Sequence, residues 1–276
     1  MIRGHWHADH VTTQPTTQPA ATRPVPTQPT TTDRRALRDE VLLVLGVSLG
    51  ASAVYSFLAL LARLTAPGRL SEQQATLNAS RAPERPWLDL AYQLVDIGFA
   101  LVPVLLALYM LRPEPLKVIG VDTRRPWFDL STGAGLAALI GIPGLGLYLA
   151  AHALNLNANV VPAALPDVWW AVPILVLSAA QNAVLEEVVV VGYLITRLEQ
   201  MGLKTAAVVA SSSLLRGAYH LYQGFGGFVG NAIMGVIFSV FFLRTRRTMP
   251  LIVAHTILDV VAFVGYALLH DRVSWI

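Results

Sequence analysis

Glu186 and Glu187 lie side by side in NAVLEEVVVVGYLITRLE, a run otherwise apolar enough to sit in lipid. A charged side chain at the centre of a bilayer costs about 2.5–3.5 kcal/mol on insertion scales, so carboxylates kept there face a bundle interior or a wet cavity and mark function. Two further hydrophobic stretches supply His220, and His255 with Asp259. Neighbours on a helix are about 100° apart, so the two glutamates are not expected to serve one point equally. One should face a reaction centre and the other a structural partner. His255 and Asp259 are four residues apart and share a helix face. That spacing suits two ligands of one metal, or a histidine oriented by a carboxylate. A glutamate and a histidine in a dry pocket can together deprotonate a water. A second histidine and an aspartate can stabilise the developing oxyanion or complete a metal site.

These residues need helices to hold them at depth, and the composition provides for that. The 276 residues are 54% hydrophobic and only 13% charged, and there is no cysteine. Mean hydropathy is +0.55. A soluble domain carries about a quarter charged residues, so this is an integral membrane protein. Disulfides, thiolate nucleophiles and cysteine-ligated zinc are excluded. The expected fold is all-α: a polytopic membrane bundle of about seven to eight transmembrane helices, each needing about 20 apolar residues. The expected spans are roughly 40–64, 88–111, 131–153, 168–197, 204–222, 227–243 and 249–269. Residues 1–35 form a Thr/Gln/Pro-rich tail expected to be disordered, and its His5, His7 and His10 are read as incidental. Residues 36–160 are the N-terminal transmembrane helices and 165–270 the site-bearing bundle.

Arg and Lys cluster before the first span and in the loops at 112–125, 197–204 and 244–247. The loops at 154–167 and 221–226 have none, and the loop at 65–87 is the exception, with Arg69, Arg81 and Arg85 balanced in part by Glu72 and Glu84. The positive-inside rule then puts the N-terminus in the cytoplasm, with the plasma membrane as location. Trp87 and Trp169 fall at outer span ends, as belt aromatics do. Asp96, His152 and His270 are read as structural or interfacial. The glycine run GFGGFVGN joins two spans without a preceding strand, which makes it an interhelical turn and not a phosphate loop.

The segment EEVVVVGYL, followed by RGAYHLYQG and then HTILD, resembles the CPBP family of intramembrane proteases, also called the Abi or CAAX-protease-and-bacteriocin-processing family. Its pattern is EExxxRG(Y/F)L, FxxxH and Hxxx(N/D), and the resemblance covers roughly residues 165–270. It implies that Glu186 activates water with help from His220, while His255 and Asp259 stabilise the oxyanion or bind metal. Zn2+ held by Glu186, His220, His255 and Asp259 is one implied form, and a metal-free glutamate mechanism is the other. Implied partners are the bilayer and a peptide or lipidated protein substrate, with no nucleic acid. Two positions depart from the pattern: Val191 stands where it has arginine, and Arg216 where it has phenylalanine. The expectation is that the guanidinium has moved to the neighbouring helix and pairs with Glu187, since two carboxylates need one cation whichever helix provides it. The alternatives are a catalytically silent scaffold or bacteriocin-immunity-type protein, and a small transporter using the acids as a proton relay.

Overall fold

The computed structural model describes Met1 and residues 31–269. Most of the expected tail lies outside the described residues, as do His5, His7, His10 and His270. The chain runs α1 (Thr31–Gly46), α2 (Leu49–Thr65), β1 (Gln74–Ala79), α3 (Pro86–Ala100), α4 (Val102–Met110), α5 (Pro115–Val118) and α6 (Pro126–Ala153). It continues with β2 (Asn159–Ala164), α7 (Ala171–Glu186), a π-helical segment Glu187–Tyr193, and α8 (Leu194–Gln200). The last elements are α9 (Thr205–Ala218), α10 (Phe225–Thr245) and α11 (Met249–Leu269). The end of the expected tail is therefore already helical.

The molecule is an all-α, multi-pass membrane bundle. Five helices are long and apolar enough to cross a membrane, or six if α1 and α2, bent by 53°, count as one span. The expected fifth span differs. Its helix, α9, has 14 residues and so a length of about 21 Å, short of the roughly 30 Å hydrocarbon core. It stops at the polar pair Tyr219–His220, and a 3-10 turn, Leu221–Gln223, leads into α10. Gly224 permits that turn: its φ is +116°, and a Cβ there would stand 2.5 Å from the Leu156 carbonyl oxygen. The glycine run is thus a turn into a helix.

The loops at 112–125, 197–204 and 244–247 group on one side, while the loop at 65–87, which holds Arg69, Arg81 and Arg85, lies on the other with β2. On the arginine-bearing side, Arg197 meets Glu40 at 2.8 Å, Arg246 meets Glu199 at 2.5 Å, and Arg247 meets Asp129 at 2.7 Å and Asp122 at 3.0 Å. On the other side Asn157 bridges to Gly224. Trp87 and Trp169 meet edge-on there, with centroids 6.5 Å apart.

That second side carries a feature the apolar pattern does not announce. β1 and β2, from two different loops, form a two-stranded parallel sheet with Gln74 opposite Asn159 and Ala79 opposite Ala164. The main core packs the π-segment valines against Ile119, Phe238, Phe242 and Leu251. Leucines such as Leu43, Leu105 and Leu139 remain exposed, as lipid-facing residues do.

Candidate active site

The two glutamates sit where the fourth span changes its winding. Glu186 ends α7 and Glu187 opens the π segment. A π turn widens the helix and frees carbonyls from the regular ladder. Hydroxyls bond two oxygens along it: Ser212 donates to Val190 at 2.9 Å, and Thr196 donates to Gly192 at 2.6 Å. Gly192 allows close packing, since a Cβ there would stand 3.0 Å from the Ile119 side chain and push it aside by a few tenths of an ångström.

Arg216, on α9, is completely buried and faces both carboxylates. Its Nη2 donates to both Glu187 oxygens at 2.7 and 2.8 Å, and its Nη1 donates to Glu186 Oε2 at 3.2 Å. The guanidinium also lies 5.4 Å from the Phe238 ring centroid. The Tyr219 hydroxyl donates to the same Glu186 Oε2 at 2.7 Å. The two glutamates thus divide as their angular separation suggests. Glu187 is fully buried on Arg216, while Glu186 reaches a cavity.

The early end of α9 places His220 in a turn beside Glu186. Its Nδ1 lies 3.0 Å from the Arg216 carbonyl oxygen, which only accepts, so Nδ1 donates. Ser56 of α2 donates to the Tyr219 carbonyl at 2.7 Å and fastens this turn. From α11, His255 Nδ1 is 2.7 Å from Glu187 Oε1. Its Nε2 faces Asp259 Oδ1 at 3.6 Å and Glu186 Oε2 at 4.0 Å. Asn182 borders the same cavity as Asp259.

Glu186, His220, His255 and Asp259 line one cavity of about 600 Å³, bounded also by Asn182, Tyr219, Gln223 and β1. The structure therefore gathers four of the five expected site residues around one space, with Glu187 and Arg216 directly behind. Tyr219 and Asn182 were not singled out in the sequence. Asn182 had a signal, since it lies one helical turn before Glu186 on the same face.

Glu186, Glu187 and His255 each offer an atom within 4.8 Å of the others and could hold a metal ion. His220 and Asp259, two of the four expected ligands, lie outside that trio. Two oxygens and one nitrogen suit zinc in kind. The fit is nevertheless poor, because Glu187 already accepts two hydrogen bonds from Arg216 and a third contact from His255 Nδ1. An ion there would have to displace the guanidinium or share its carboxylate.

Residues 168–261 match a family model described as type II CAAX prenyl endopeptidase, Rce1-like. The matched stretch runs from before α7 into α11, and over it the resemblance to the CPBP family is borne out. No curated protein and no solved structure matches the chain.

Proposed function

We propose that the chain is an intramembrane endopeptidase that hydrolyses a peptide bond of a membrane-associated or lipidated peptide, with Glu186 and His220 activating the water. The observation that carries this is the meeting of Glu186, His220, His255 and Asp259 at one cavity within the family-matched helices. A proton relay would string such groups along a path instead.

Tyr219 and Arg216 occupy Glu186 Oε2, which leaves Oε1 as the oxygen for the water's proton. With its proton on Nδ1, His220 presents the Nε2 lone pair as a second acceptor. A water between them gives up a proton to this pair, and the hydroxide adds to the substrate carbonyl carbon. The same proton then passes to the leaving amine nitrogen as the C–N bond breaks. We assign His255 to the oxyanion: Glu187 fixes its Nδ1 side, and a proton on Nε2 makes it a donor beside Asp259. Glu187 and Arg216 hold this frame without touching substrate.

Zinc on Glu186, Glu187 and His255 would supply a Lewis acid. We favour the metal-free form because Arg216 already satisfies Glu187. Placing the arginine-bearing side in the cytoplasm of a plasma-membrane protein follows the positive-inside rule, and the cavity, bordered by β1, then opens toward the outer face. The catalytically silent scaffold is the second reading, and the exchange of Val191 and Arg216 is what favours it.

The test is cleavage by purified protein in detergent of a quenched-fluorescence peptide library with prenylated, acylated and plain members. Glu186→Ala and His220→Ala should each lose about 10²-fold or more in rate, the usual worth of a general acid–base group. Chelator should change nothing. Equal rates for wild type and both folded variants would move the assignment to the scaffold.

A further inference from the structure

Thr76, Leu77 and Asn78 of β1 all line the cavity that holds Glu186 and His220. Successive side chains of a strand point to opposite faces. Three consecutive residues on one cavity therefore mean that the cavity runs along the strand's edge. The phase of the sheet says what that edge offers. Asn159 N–H donates to the Gln73 carbonyl at 2.8 Å, so Gln73, Ala75 and Leu77 turn their peptide groups toward β2. Those of Gln74 and Thr76 then point the other way. Arg63 bonding the Gln74 carbonyl at 3.1 Å agrees with this phase. Beyond Leu77 the phase shifts: Ser80 N–H donates to the Ala164 carbonyl at 3.2 Å, which turns Asn78 toward β2 as well. Among the described residues no further strand pairs with the edge.

The outer edge of β2 is closed by comparison. Val160 N–H donates to the Tyr148 hydroxyl at 3.2 Å, and Pro162, two residues on, has no N–H to offer. Exposed strand edges are commonly blunted. Here the edge away from the cavity is blunted and the one along it is open.

We propose that β1 is a docking strand, on which the substrate backbone pairs in extended form with the peptide N–H and C=O of Thr76 and is laid toward Glu186 and His220. The occupant is a peptide because Thr76 presents a backbone N–H and C=O side by side, the two groups that a hydrogen-bonded pair of strand residues exchanges. Gln74–Ala79 contains no charged residue, and the Asn78 side chain is tied to the Pro162 carbonyl at 2.8 Å, so the backbone of Thr76 is what the edge has to give. A peptide bond near a membrane is sheltered while its segment is helical; unwinding it leaves N–H and C=O groups that must find partners. β1 supplies them beside the water-activating pair. The chemistry rests on the endopeptidase reading, but the binding does not.

The test uses full-length Glu186→Gln protein in detergent and a fluorescein-labelled pool of short uncharged peptides, read by anisotropy. Thr76→Pro removes the cavity-facing N–H without touching the β1–β2 ladder, whereas Thr76→Ala removes only the side chain. Thr76→Pro should weaken binding at least about tenfold, as loss of one or two hydrogen bonds does, with Thr76→Ala within about twofold. If Thr76→Pro does not fold, the same pool with N-methylated peptide bonds is the second probe, and it should bind correspondingly less to the unaltered strand. Equal binding in either comparison overturns the proposal, as does a pool that fails to bind. Strand-dependent binding without cleavage by wild type would instead remove the endopeptidase reading and leave the docking strand standing.

Discussion

One guanidinium answers two carboxylates in the interior of this bundle, and that number governs the site. Arg216 and the Glu187 side chain are both without solvent exposure. Removing one partner of such a pair leaves an uncompensated buried charge and costs about 3–5 kcal/mol, much of the 5–15 kcal/mol that holds a domain. Arg216→Ala should therefore lower the thermal midpoint in detergent sharply, or prevent recovery of folded protein. Arg216→Lys should fall between, because an ammonium cannot match the planar fork that spans Glu187 and Glu186. Val191 lies within the same π segment as Glu187 and is fully buried. A double variant, Arg216→Ala with Val191→Arg, should regain part of the loss by returning the cation to the helix where the CPBP pattern has it. A double variant no more stable than the single one would count against an exchange of positions.

The element that sets the site is the π segment. Its winding sets how the two glutamates are turned relative to α8, which follows it. Deleting Val190 should convert the wide turn into an ordinary one, rotate the glutamates relative to the helix below, and abolish cleavage while membrane insertion persists. Retained cleavage in that deletion would show that the winding is incidental. Ser212→Ala should cost about 0.5–1.5 kcal/mol, the net worth of one hydrogen bond, because it removes the hydroxyl that donates to the Val190 carbonyl. The spans and the motif helices were legible in sequence because apolar runs of membrane length and buried charges are strong signals. The sheet was not. QATLNA and NVVPAA are short, carry little alternation, and pair across 85 positions. The stop of α9 at Tyr219–His220 was foreshadowed by depth alone: a full-length fifth span would have set His220 higher than a midplane site prefers. Tyr219 escaped notice because its partner, Glu186, lies on another helix, and no local spacing encodes that contact.

The whole molecule is held at its arginine-bearing side by charges that tie distant loops together. Arg247 follows α10, yet its guanidinium lies 2.7 Å from Asp129, at the start of α6, and 3.0 Å from Asp122 in the loop before it. This joins the half that carries α6 to the α10–α11 connection, and so fixes α11, with His255 and Asp259, against its neighbours. The Arg247 hydrogen bond holds the Asp122 carboxyl below its ordinary value of 3.8, and burial opposes this only in part. A carboxyl whose pKa is depressed by folding contributes stability above its unfolded value and loses it as pH falls through the folded one. The clamp should thus be intact at neutral pH and weaken only below about pH 4, where unfolded carboxylates take up protons. Thermal midpoints of wild type between pH 3 and 7 should show a drop at the acid end. Asp122→Asn, which cannot titrate, should start lower at pH 7 and lose less on acidification. If the two curves run parallel down to pH 3, Asp122 is not a titrating part of the clamp, and Asp129 alone anchors Arg247.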